Sequence, residues 1–217
     1  MSSNTTIILM ALSAGCAFDN GPARKVPVTA SSDSSAPFTM DLGWQVTLGE
    51  ARLFVQRVEF LTGTDPADGV KIGELVANVA VDLLAAPQAL GQAIFQPGSK
   101  ATQAVVHVAP PVTGAAGAAT MHGAGLYFAG TAVPPGGGDA VSFTAALPID
   151  APIGVGDLDL DADSLSGLVL HVQREGWFDG IDFAALPGGV IEEGSTEAET
   201  IEERLLDGGF HVHAGGE

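Results

Sequence analysis

The sequence predicts an all-β fold, an antiparallel β-sandwich with one short C-terminal helix. Three observations lead there. From Phe38 onward apolar residues recur with period two, the spacing of a strand that buries one face. Clusters of turn-forming residues break that pattern at intervals of about ten to twenty residues, as in sandwiches and barrels. Glycine and proline number 29 and 13 of 217 residues, which leaves little room for long helices.

Taken in order, the first element is a short apolar run, Ile7 to Leu12, followed by Ser13-Ala14-Gly15-Cys16. About 20 apolar residues are needed to span a bilayer, so this run is too short. Small residues before a cysteine that closes an apolar run resemble the signal of bacterial lipoproteins. The resemblance implies that Cys16, the only cysteine, is lipidated and becomes the first residue of the mature chain. One cysteine also excludes an intramolecular disulfide and a cysteine-built zinc site. Residues 17–37 follow, with the run SSDSSAP and three prolines, a composition that reads as a flexible tether. The division expected is a signal segment over 1–16, a tether over 17–37 and one domain over 38–217.

Within that domain, Trp44–Leu48 reads as a short strand. In Arg52–Phe60 the pattern puts Phe54, Val58 and Phe60 on one face and Leu53, Val55, Arg57 and Glu59 on the other. Val70–Leu75 and Val76–Leu84 continue the pattern around Gly73 and Asn78. Lys100–Ala109 alternates again, and Leu126–Val133, Ala140–Leu147 and Leu165–Arg174 add three strands. Turns are marked by Thr62–Pro66, Gln96–Ser99, Pro134–Gly138 and Pro148–Gly156. A single antiparallel sandwich over residues 40–185 is expected, with Phe54, Val58, Phe60, Val106, Val108, Leu168, Leu170 and Val172 inside. The helix starts at a capping box, Thr196-Glu197-Ala198-Glu199, with Thr196 as N-cap. Ile201 and Leu205 share its apolar face and Gly208 stops it.

The runs Trp44–Val55, Val81–Leu84 and Trp177–Phe183 are similar to uncharacterised envelope lipoproteins of myxobacteria and their relatives, which implies a β-sandwich and no known activity. Arg52–Gly63 is also faintly similar to the first strand of the periplasmic, copper-associated MbnP-type proteins.

Charge narrows the function. Eight Lys and Arg against 26 Asp and Glu give −18. Such a surface repels nucleic acid and anionic lipid, so recognition of either by overall charge is not expected. Residues 131–217 hold seventeen of the acids and two of the bases, so a cationic protein or a metal ion is the partner to seek there. No serine-hydrolase motif, H-E-x-x-H or P-loop is present, and an enzyme is not expected.

Three sets of residues remain as candidate sites. His211 and His213 would share one face of an extended strand and offer two imidazoles to Zn²⁺ or Cu²⁺. Asp157, Asp159, Asp161 and Asp163 alternate along one segment, an oxygen set suited to Ca²⁺. The EF-hand pattern fails, since its sixth position is Ala162 and its twelfth is Leu168. A solvated acidic face is the competing explanation. Trp177 and Phe178 open a seven-residue run with four large apolar side chains, either a hydrophobic corner or an exposed lip for a sugar or peptide. His107 and His171 lie among valines and read as hydrogen-bonded core or edge histidines. The expected function is a non-enzymatic, lipid-anchored protein of the bacterial cell envelope, on the outer membrane or the surface. The alternative is a periplasmic or surface Cu- or Zn-binding protein using His211 and His213, and the alternative location is periplasmic or secreted.

Overall fold

The computed structural model describes residues 22–33, 37–63, 69–85, 87–174 and 176–215. The strands run β1 Arg24–Ser32, β2 Phe38–Thr39, β3 Gln45–Thr62, β4 Val70–Asp82, β5 Gln88–Phe95, β6 Lys100–Ala101 and β7 Gln103–Val108. They continue as β8 Leu126–Val133, β9 Val141–Leu147, β10 Ala151–Val155, β11 Leu160–Asp161, β12 Leu168–Val172, β13 Val190–Ile191 and β14 Phe210–Ala214. One helix, α1 Thr196–Leu206, precedes β14. The described residues are therefore mostly strand with one short α-helix, in keeping with the composition.

The sheet departs from the expected arrangement. Twelve strands form one curled sheet in the order β13-β9-β8-β3-β4-β5-β1-β12-β14, with β2 and β7 also on β3 and β10 on β7. β6 and β11 form a separate pair. The cause is β3, which at 18 residues is long enough to serve both halves. Its first part pairs with β8 and its second part with β7, while β4 covers the other edge. Two pairings are parallel, β1 with β12 and β9 with β13, so the sheet is mixed rather than purely antiparallel.

A bulge in β3 corrects one assignment. Between Val55 and Arg57 the register shifts against both neighbours. One extra residue reverses the facing of everything after it. Leu53 and Val55 therefore share the main core with Val58 and Phe60. Phe54 is also fully buried, but on the opposite face, where its amide donates to the Gly125 carbonyl. The other expected core residues, Val106, Val108, Leu168, Leu170 and Val172, are buried as the alternation requires.

The larger correction concerns residues 17–37. Arg24–Ser32, expected as tether, is a strand inside the sheet, antiparallel to β5 and parallel to β12. Val26, Val28 and Ala30 turn inward and are buried, with the period of two that defines a half-buried strand. Pro27 is tolerated because pairing with β12 starts only at Val28, so one side of the strand has no ladder bond to lose there. Cys16 lies outside the described residues, as do residues 1–21 as a whole.

The helix begins one residue earlier than expected. Ser195, not Thr196, is the N-cap, its hydroxyl oxygen accepting from the Ala198 amide at 3.2 Å. Ala198, Ile201 and Leu205 are buried on its inner face.

Candidate functional site

The ends of β1 and β12 gather several titratable groups. Ser31 and His171 are direct partners across the parallel pair. The Ser31 hydroxyl is 3.0 Å from His171 Nδ1, and His171 Nε2 is 2.9 Å from Asp33 Oδ1. The second carboxylate oxygen of Asp33 accepts from the Arg174 amide at 2.8 Å, and the Arg174 guanidinium donates to the Asp33 carbonyl. Arg174 is buried, 1% exposed as a residue, and its guanidinium lies 5.4 Å from the centroid of the Phe38 ring. Burial lowers its pKa, while Asp33 and Asp82 oppose the shift. The set contains a hydroxyl, an imidazole and a carboxylate in hydrogen-bonded series, the components of an activated nucleophile. Here they stand on an extended strand and tie its end to β12. Sequence reasoning missed Ser31 and Asp33 because it assigned them to a tether, and their partners lie about 140 residues away.

His211 and His213 occupy exposed positions on one face of β14, as the spacing predicts. His211 stands opposite His171, but its Nε2 is 2.9 Å from Gln173 Oε1, and both nitrogens of His171 are engaged by Ser31 and Asp33. Among the described residues no three His, Cys, Asp or Glu side chains come together as a metal site.

The aspartate run does not converge either. Asp159 pairs with Lys100 on β6. Asp161 accepts from the Asp163 amide at 3.0 Å, and Asp163 accepts from the Gly98 amide at 3.1 Å. Asp157 adopts a φ of 56° at the turn. Leu160 and Ala162, between the acids, are buried, so the segment holds the β6–β11 corner against the core.

Trp177 and Phe178 are 1% and 0% exposed, which corrects the lip reading. Phe178 meets Phe128 edge-on at 5.1 Å, and Phe143 lies 4.7 Å from Phe183. These rings fill the space between the sheet and the Trp177–Phe183 corner.

On the outer face of β3, β4 and β7 a second cluster forms. Glu59 Oε2 is 3.2 Å from His107 Nε2, and Glu59 Oε1 is 3.4 Å from Lys71 Nζ and 3.6 Å from Arg57 Nε. Partial burial pushes the Glu59 carboxyl up. Hydrogen bonds from His107 and Lys71, with the charges of Arg57 and His107, outweigh it and hold the group below its ordinary 4.5. Beside this cluster a groove of about 650 Å³ lies between β4 and β5, whose ladder joins only at Gly73–Phe95 and Glu74–Ile94. Ala23, Lys71, Val76, Ile94 and Pro97 are among its lining residues. Val76 and Ile94 are 63% and 52% exposed.

No family model matches the chain, and no curated protein matches it. Among solved structures it is similar to MbnP from Methylosinus trichosporium, at 11% identity and a TM-score of 0.45, over 89% of this chain and 99% of that one.

Proposed function

We propose that this is a non-enzymatic binding domain of the bacterial cell envelope, held by a lipidated Cys16, with the two halves of its curled sheet packed as the layers of a sandwich. The observation that supports this best is the start of β1. Ala23 sits at the surface, one residue before the strand and only seven residues after Cys16, so a lipoprotein-type signal runs almost directly into a folded domain. The polar clusters among the described residues link strands to one another, which favours a scaffold over a catalyst. Metabolic labelling with a palmitate analogue tests the anchor. The wild type should label and Cys16→Ala should not; equal labelling ends the reading. A fluorophosphonate probe tests the absence of catalysis. Labelling that disappears in Ser31→Ala would make the chain a serine hydrolase instead.

Metal binding is the second reading, favoured by His211 and His213 on one exposed face of β14, with His211 opposite His171. Calorimetry with Zn²⁺ and Cu²⁺ decides it. Binding no tighter than that of His211→Ala/His213→Ala would exclude it.

A further inference from the structure

The overall charge of −18 conceals one face of a different character. Residues directly opposite one another in a sheet project from the same side. Lys25 therefore stands beside Ile94, and Ile94 beside Glu74, on the outer face of β1, β5 and β4. The same face continues through Val76 to Arg57 and His107 and through Glu74 to Glu59. Among the described residues it carries Lys25, Arg57 and Lys71 against Glu59 and Glu74, an excess of one positive charge without counting His107. It also carries Val76 and Ile94, at 63% and 52% exposure. Among the described residues these are two of the seven large apolar side chains that are exposed.

We propose that this face lies against the phospholipid surface, with Val76 and Ile94 in the interfacial layer and Lys25, Arg57 and Lys71 at the lipid phosphates. The inference rests on the lipid anchor proposed at Cys16. Two observations select a bilayer over other occupants. The first is where the chain enters: Ala23 lines the groove, and seven residues can reach at most about 25 Å, so Cys16 cannot be further than that from Val76 and Ile94's groove. The second is charge: the chain as a whole is acidic and is repelled by lipid phosphate, whereas this face, among the described residues, joins exposed apolar side chains to a small excess of cations and is suited to turn toward it. The expectation that overall charge excludes phospholipid holds for a chain free in solution. It does not hold for a tethered one, because an anchor fixes a high effective concentration and repulsion from acids beyond about 8 Å is screened at physiological salt.

The test uses the full-length lipidated chain in vesicles of phosphatidylethanolamine and phosphatidylglycerol. Acylation occupies Cys16, so Ile94→Cys supplies one free thiol for an environment-sensitive dye, and Leu206→Cys on α1 is the control. The dye at position 94 should shift to the blue and be quenched by aqueous iodide about tenfold less than the dye at 206. Adding Lys25→Glu should reduce that protection. Equal quenching at 94 and 206 in a chain that incorporates palmitate analogue overturns the orientation while leaving the anchor intact. Failure to incorporate the analogue overturns the anchor, and the orientation with it. Protection at 94 that arises only after a soluble protein fraction is added overturns the bilayer in favour of a protein partner.

Discussion

Asp33 illustrates how much one side chain can hold. Its two carboxylate oxygens and its carbonyl reach His171, the Arg174 amide and the Arg174 guanidinium, and Arg174 in turn covers Phe38. Without the carboxylate Arg174 keeps the Asp33 main-chain carbonyl and the nearby charge of Asp82, but the Arg174 amide and His171 lose their acceptor, at about 1–3 kcal/mol for part-buried groups left unsatisfied. Asp33→Ala should therefore lower the unfolding free energy by about 2 kcal/mol, read from urea titration, while Asp163→Ala at the exposed β11 turn should stay within about 0.5 kcal/mol. The contrast was not legible in the sequence. Asp33 sits in a serine-rich run whose composition favours a loop, and its partners follow 138 to 141 residues later. By comparison His211 and His213 were placed correctly on one strand face, since that depends only on a local period. Whether a third ligand meets them depends on strand pairing, which local pattern does not carry.

At the scale of elements, legibility followed regularity. β8 and β9 alternate without interruption and were readable to within a residue. β5 was not, because Gly91, at a φ of 131°, lies at the register shift opposite Val28 and breaks its period. β1 shows Val26, Val28 and Ala30 at the right spacing, but Pro27 and the serines that follow outweigh it on composition. The consequence is measurable. A chain beginning at Phe38 loses the strand that joins β5 to β12, and with it three buried apolar side chains and the Asp33 links. Compared with a chain beginning at Pro22, it should melt many degrees lower or lose its cooperative thermal transition. Equal melting temperatures would mean that β1 contributes no stability to the sheet.

Across the whole molecule, the uneven acidity sets a cost that salt can relieve. Residues 131–217 hold seventeen acids against two bases, a like-charge excess that opposes compaction, and Glu199 and Glu202 of α1 share one depression with Glu193. Raising NaCl from low to near-physiological concentration should increase the melting temperature by a few degrees, the opposite of a protein held by surface ion pairs. The parallel pairing of β1 with β12 has a further meaning in time. The first strand made is completed only by one that follows about 140 residues later. At roughly 5–20 residues per second, synthesis leaves Val26, Val28 and Ala30 without that neighbour for about 7–30 seconds. Closure of this sheet edge therefore waits for β12, and until then the side of β1 that β12 covers is an open strand edge, able to pair with another chain.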